Sequence, residues 1–221
     1  MSDGLTIAEV DVDGVIQEAH EALGGDTRAD FFKKAAIGGG SLIAGGALMG
    51  GLPALAGAAT RPSAANDVKI LQYALTLEYL EAAFYKEAVD GNVLTGDIAN
   101  AALTVSKHET THVAALKKAL GTAAPKSPKF DFKGTTVDSA KFVATAQALE
   151  DTGVAAYAGQ AGHIFDKKVL AVAASILTVE ARHASRFRSL NNQSFAPKAF
   201  DSASSMKSTL AKVKKTGFIV A

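Results

Sequence analysis

Apolar residues recur at helical spacing in four stretches of the chain, each bounded by turn or capping residues. The first runs from a cap at Asn66-Asp67 to about Val89, with Val68, Leu71, Leu75, Tyr79 and Ala82 on one stripe, and stops at Asp90-Gly91-Asn92. The second spans about Thr95 to Leu120 and ends at Gly121. A long irregular connection, Thr122 to Thr136, follows, carrying Pro125, Pro128, Phe130 and Phe132. The third helix is expected from near Asp138 to near Ile164, and the fourth from about Asp166 to Asn191. No stretch between Asn66 and Asn191 reads as a strand. Short turns join the first two helices and the last two, so each pair should form an antiparallel hairpin. The middle connection can extend to roughly 50 Å, against about 37 Å for a 25-residue helix, so it can cross the whole bundle. The expected fold class is all-α: a four-helix bundle made of two hairpins joined by a long crossover. A tail from residue 193 to 221, with a short basic helix over Met206 to Lys215, should pack along its outside.

Composition changes the picture mainly at the front. At 221 residues and 48% hydrophobic, the chain suits one domain with appendages. The first 26 residues hold seven acids and neither Lys nor Arg; from Ala35 to Thr60 no residue is charged, and Gly and Ala dominate. A basic flank, a weakly apolar segment and Ala54, Ala56 and Ala58 are the parts of an export signal. Thr27-Arg28-Ala29-Asp30-Phe31-Phe32-Lys33 resembles the twin-arginine export pattern, with Ala29 where the second arginine belongs. The segment is also long enough to span a bilayer, although its glycines and Pro53 make it a poor membrane helix. Residues 1–59 are therefore read as an acidic extension plus an export signal or retained anchor, and residues 60–192 as a bundle outside the cytoplasm. Membrane contact is expected only through residues 35–59. The net charge of +1 is uninformative, because residues 1–59 carry 8 Asp/Glu against 3 Lys/Arg and leave a mildly basic remainder; no Lys/Arg run or aromatic interleaving in that remainder suggests nucleic acid.

Cysteine is absent, so a bound metal must use oxygen and nitrogen ligands. Glu109-Thr110-Thr111-His112 lies in the second helix and Glu180-Ala181-Arg182-His183 in the fourth. Three residues of α-helix turn about 300°, so each Glu and its His share a face and can grip one ion. Glu78 stands 31 residues before Glu109, and Glu150 stands 30 before Glu180; Tyr85 and Tyr157 each follow seven residues after the earlier Glu. The chain thus repeats Glu-x6-Tyr, then Glu-x2-His, once per hairpin. Four buried carboxylates carry −4, which two divalent cations cancel. Glu81, one turn from Glu78, is the rival ligand in the first helix, but only Glu78 reproduces the spacing to tyrosine. His108 and His163 fall on other faces and read as surface histidines, and Arg182 as the partner of a nearby acid.

Over about 125 residues these motifs resemble the ferritin-like superfamily. Ala74-Leu75-Thr76-Leu77-Glu78-Tyr79-Leu80-Glu81-Ala82-Ala83-Phe84-Tyr85 and Phe130-Asp131-Phe132 look like its ferritin-like domain 2 branch, related to desiccation-associated proteins. The resemblance implies two transition-metal ions, iron ahead of manganese, with Glu109 and Glu180 bridging. Glu78 and His112 would complete one position, and Glu150 and His183 the other. Tyr85 and Tyr157 would lie beside the cluster as hydrogen-bond donors or electron sources. It further implies O2 or H2O2 as substrate, in ferroxidase-, peroxidase- or catalase-like chemistry. A non-catalytic, metal-stabilised or metal-buffering stress protein is the alternative. Cage assembly is not expected, because a short basic segment stands where cage-forming ferritins carry a fifth helix.

Overall fold

The computed structural model describes residues 62–220. The acidic extension and the segment read as an export signal or anchor lie outside them. Helices α1 (Ala64–Gly91) and α2 (Gly96–Leu120) form one hairpin, and α3 (Ser139–Ala161) and α4 (Lys167–Leu190) the other. Within each hairpin the two helices pack along their length, and the hairpins meet through α1 against α3 and α2 against α4. Residues 121–138 connect them, so the expected all-α bundle of two hairpins and a long crossover is what the chain forms. Among the described residues, no helix is long and apolar enough to cross a membrane.

Helix ends follow local chemistry. Asp138 accepts from the Lys141 amide at 2.8 Å and Asp166 from the Lys168 amide at 2.6 Å, each satisfying a donor that the first turn leaves unpaired. Two boundaries differ from expectation. The cap of α1 is Ser63, whose hydroxyl accepts from the Asn66 amide, so the helix begins before Asn66-Asp67. Those two residues serve the opposite hairpin instead. The buried Asp67 carboxylate accepts the amides of Phe165 and Asp166 at 2.8 Å each, and the Asn66 side-chain amide donates to the His163 carbonyl. This grip holds the α3–α4 turn extended, and α3 closes at Gly162 rather than near Ile164. Asp67→Ala is expected to leave two part-buried amides without their partner and cost about 1–2 kcal/mol. Thermal melting checks it: a melting temperature within a degree of the wild type would show that the grip is dispensable.

A second correction concerns strand. Lys129–Phe130 (β1) pairs antiparallel with Ile219–Val220 (β2), and the Asp131 amide donates to the Phe218 carbonyl at 2.9 Å. Two-residue strands carry no readable period, and here the partner is some 90 residues away. Between them runs α5 (Met206–Thr216), which lies over α3. The tail comes close to that helix at Gly159, where a Cβ would collide with the Ser204 carbonyl; next to it the Ser204 amide donates to the Ala155 carbonyl at 2.8 Å.

The apolar stripe expected for α1 is also displaced. Leu71 and Leu75 are buried, but Val68 is exposed and Tyr79 and Ala82 only half-buried, while Tyr73, Leu77, Leu80 and Phe84 are fully packed. Because α1 contacts two helices of the bundle, it buries more than one stripe. Phe84, Tyr85, Phe132, Phe142 and Phe187 form an aromatic block with ring centroids 5.2–5.9 Å apart. This block closes one side of a set of buried acids.

Candidate metal centre

Each helix sends one face to the bundle axis. From α1 come Glu78, Glu81 and Tyr85; from α2, Glu109 and His112; from α3, Glu150 and Tyr157; from α4, Glu180 and His183. All are buried, and Glu78, Glu109, Glu150 and Glu180 are 0% exposed, a placement that carboxylates reach only when something compensates their charge.

The six residues predicted from the two repeats come together in two overlapping groups. Glu78, Glu109, His112 and Glu180 each bring a ligand-type atom within 4.8 Å of the others, and so do Glu109, Glu150, Glu180 and His183. Glu109 and Glu180 belong to both. His112 Nδ1 lies 3.3 Å from Glu109 Oε2, 3.0 Å from Glu180 Oε1 and 3.2 Å from Glu78 Oε2. His183 Nδ1 lies 3.1 Å from Glu109 Oε1, 3.9 Å from Glu180 Oε2 and 3.3 Å from Glu150 Oε2. Each shared carboxylate therefore turns one oxygen to each histidine. Glu81 belongs to neither group, which favours Glu78 in the first helix.

The tyrosines cross between hairpins. Tyr85 of α1 donates to Glu150 Oε1 of α3, and Tyr157 of α3 donates to Glu78 Oε1 of α1 at 2.5 Å. Each phenol thus fixes the oxygen of a carboxylate that does not face the histidine. Burial, then the adjacent Glu150 and Glu78 respectively, push both phenols well above their ordinary pKa.

Glu109 Oε1, Glu150 Oε2, both oxygens of Glu180 and Nδ1 of His183 are buried without a hydrogen bond among the described residues. They converge at ion-pair distances while pointing past one another, the arrangement expected of donors around a shared cation. Oxygen and imidazole nitrogen donors without thiolate suit iron, manganese or zinc, and carboxylates between two positions can bridge. The residues fit a bound metal.

Protons take up the charge otherwise. Burial, then neighbouring carboxylates, hold Glu81 well above the ordinary range; burial does the same to Glu78 and Glu150 against the pull of His112 and His183. Burial alone would raise Glu109 too, but the imidazoles of His112 and His183 beside it win and bring it to about 2, and Glu180 is lowered in the same way. Against the effect of burial, the carboxylates around them raise both His112 and His183 to about 12.

A sequence model of the ferritin-like domain matches residues 66–193, more than half of the chain. The chain belongs to the ferritin-like domain family. No curated protein matches it. The ferritin-like domain thus contains buried carboxylate and histidine groups that could hold a metal.

Other sequence expectations met mixed outcomes. His108 is exposed, as expected, yet its Nδ1 lies 2.9 Å from His183 Nε2 and the rings stack at 5.2 Å. Reading it only as a surface residue missed this contact; its position one residue before Glu109 turns it toward α4 rather than wholly to solvent. His163 is half-buried in the α3–α4 turn. Arg182 forms no ion pair among the described residues; it lines a cavity of about 640 Å³ between α2 and α4 that reaches His108, His112 and His183. Arg186, on the same cavity, pairs with Asp97 at 3.1 Å.

Proposed function

We propose that this ferritin-like domain is a dinuclear metal-carboxylate protein, iron ahead of manganese, that reacts with O2 or peroxide at the cell envelope. The observation that carries the reading is the split of Glu109 and Glu180, each with one oxygen toward His112 and one toward His183. Glu78 and His112 would hold one ion, Glu150 and His183 the other, and Glu109 and Glu180 both. When bound, such a pair supplies the two electrons that O2 or H2O2 takes up.

The chain's own contribution is orientation and exclusion. Tyr85 and Tyr157 hold the outer oxygens of Glu150 and Glu78, leaving the inner oxygens free for ligation. The aromatic block around Phe84 and Phe142 keeps water from one side. The cavity between α2 and α4 gives a small molecule a route to the other side, past the imidazole rings. Both phenols are also the oxidisable side chains nearest the carboxylates, so they are placed to give up an electron before the core is damaged.

Anaerobic loading with Fe(II) or Mn(II) should approach two ions per chain by elemental analysis. The loaded, reduced protein should then consume O2 or H2O2 much faster than free metal. Tyr85→Phe with Tyr157→Phe should keep both ions while changing the rate of that consumption. One ion or none, with the helices intact, sinks the dinuclear reading; two ions without turnover hands the site to metal buffering or stabilisation. The envelope location rests on residues 27–60. Mass spectrometry should find the mature chain starting between Gly57 and Arg61, or an intact chain in the membrane. A full-length protein recovered soluble from the cytoplasm would overturn this location.

A further inference from the structure

The repeat that builds the site is broken at two positions. Three residues after Glu78 stands Glu81, but three after Glu150 stands Gly153; one residue before Glu109 stands His108, but one before Glu180 stands Val179. If the two hairpins were equivalent, Glu81 would correspond to Gly153 and His108 to Val179. Both breaks act on the same half of the cluster.

Glu81 is 3% exposed and makes no hydrogen bond or ion pair among the described residues. Its carboxylate occupies the space that a side chain at position 153 would need. A Cβ there would come within 3.2 Å of Glu81 Oε1 and 3.4 Å of Glu180 Oε2. That Glu180 oxygen is the one turned to His183, whereas Oε1 is turned to His112. The fifth carboxylate therefore stands beside the Glu150–His183 half. On the rim, His108 Nδ1 sits 2.9 Å from Nε2 of the same His183. Val179, which lines the cavity with His112, has no polar atom to offer in return.

A ligating imidazole whose outer nitrogen is hydrogen-bonded is held in one orientation and tautomer and is a better donor; losing such support typically weakens a metal site about 10- to 100-fold. A nearby carboxylate adds favourable charge at the same position. Resting on the dinuclear reading above, we propose that the two metal positions are unequal. The Glu150–His183 position, supported by His108 and faced by Glu81, takes the first ion, and the Glu78–His112 position takes the second. His108 is a positioning residue acting through His183, and Gly153 is the vacancy that admits Glu81.

Anaerobic titration of the metal-free full chain with Mn(II), followed by calorimetry and electron paramagnetic resonance, tests this. Two steps should appear, separated by about 10-fold or more in affinity, with an isolated Mn(II) signal at one equivalent and a spin-coupled one at two. His183→Ala should lose the tight step, whereas His112→Ala should keep it. His108→Val should weaken the tight step by about 10- to 100-fold and spare the other, and His108→Gln, which retains an amide for Nε2, should recover most of the loss. Val179→His should strengthen the weaker step. Glu81→Gln should weaken the tight step, because it keeps the side chain's shape beside Gly153 and removes the charge that faces that position. Equal affinities in the wild type, or equal weakening of both steps by His108→Val and Glu81→Gln, would overturn the proposal. A wild type that saturates below two ions would instead defeat the dinuclear reading beneath it.

Discussion

Glu109→Ala and Glu180→Ala should each lower metal content from two ions per chain to below one, at concentrations that saturate the wild type. Each of these carboxylates offers one oxygen to the His112 half and one to the His183 half, so a single truncation removes a donor from both. Glu78→Ala should remove mainly one ion, because Glu78 belongs to one group only. The metal-free proteins should separate as well. Removing Glu109 leaves two raised histidines facing a single lowered acid, and breaking a buried pair from one side typically costs about 3–5 kcal/mol. Elemental analysis with denaturant melts checks both parts. If Glu109→Ala still took up two ions as tightly as the wild type, the bridging assignment would be wrong.

The second large effect is the opposite response of the metal-free and metal-loaded protein to pH. In the folded chain His112 and His183 hold protons up to about 12, against 6.5 when unfolded, so their stabilisation is complete below 6.5 and is lost as pH rises beyond it. Glu78, Glu81 and Glu150 are also raised, so from about pH 4.5 upward the unfolded chain releases protons that the fold retains, and stability falls. Glu109, lowered to about 2, contributes stability above 4.5 that disappears as pH falls toward 2. The metal-free protein should therefore melt highest near pH 4.5, lose stability as pH rises from there, and lose it more steeply above 6.5, where the two histidines join. Metal ions replace those protons. Loading two divalent ions near neutral pH should release roughly four protons per chain, two from His112 and His183 and two from Glu78 and Glu150. Affinity consequently rises with pH, and the melting-temperature difference between loaded and metal-free protein should widen from pH 5 to pH 8. Calorimetry in buffers of different ionisation enthalpy measures the protons, and scans at each pH measure the gap. A gap independent of pH would mean that the cluster is not the proton store described here.

Much of this was legible in the residues because helical geometry is local. A Glu and a His three apart must share a face whatever surrounds them, and Glu-x6-Tyr places its two side chains two turns apart on one side. Thus Glu78, Glu109, His112, Glu150, Glu180 and His183 could be named as one set, and the hairpins with their crossover followed from turn residues and connection length. The choice of Glu78 over Glu81 also came from spacing, and the structure groups Glu78, not Glu81, with the shared carboxylates. The same spacing said nothing of what Glu81 does.

What lay beyond reach depended on partners distant in the chain. Asp67 looked like a cap because its own neighbours allow one, but the amides it serves belong to Phe165 and Asp166. β1 exists only because Ile219–Val220 returns to it, and His108 meets His183 only where α2 packs on α4. The tyrosines were predicted to flank the acids, yet only the packed bundle decided that each bonds the acid of the other hairpin. By itself the sequence determined the fold class, the helices and the six-residue cluster, since these follow from periodicity and rotation along a single helix. Tertiary packing decided which oxygen faces which histidine, and that Gly153 leaves room for Glu81, because those depend on distances between helices that no spacing along the chain encodes.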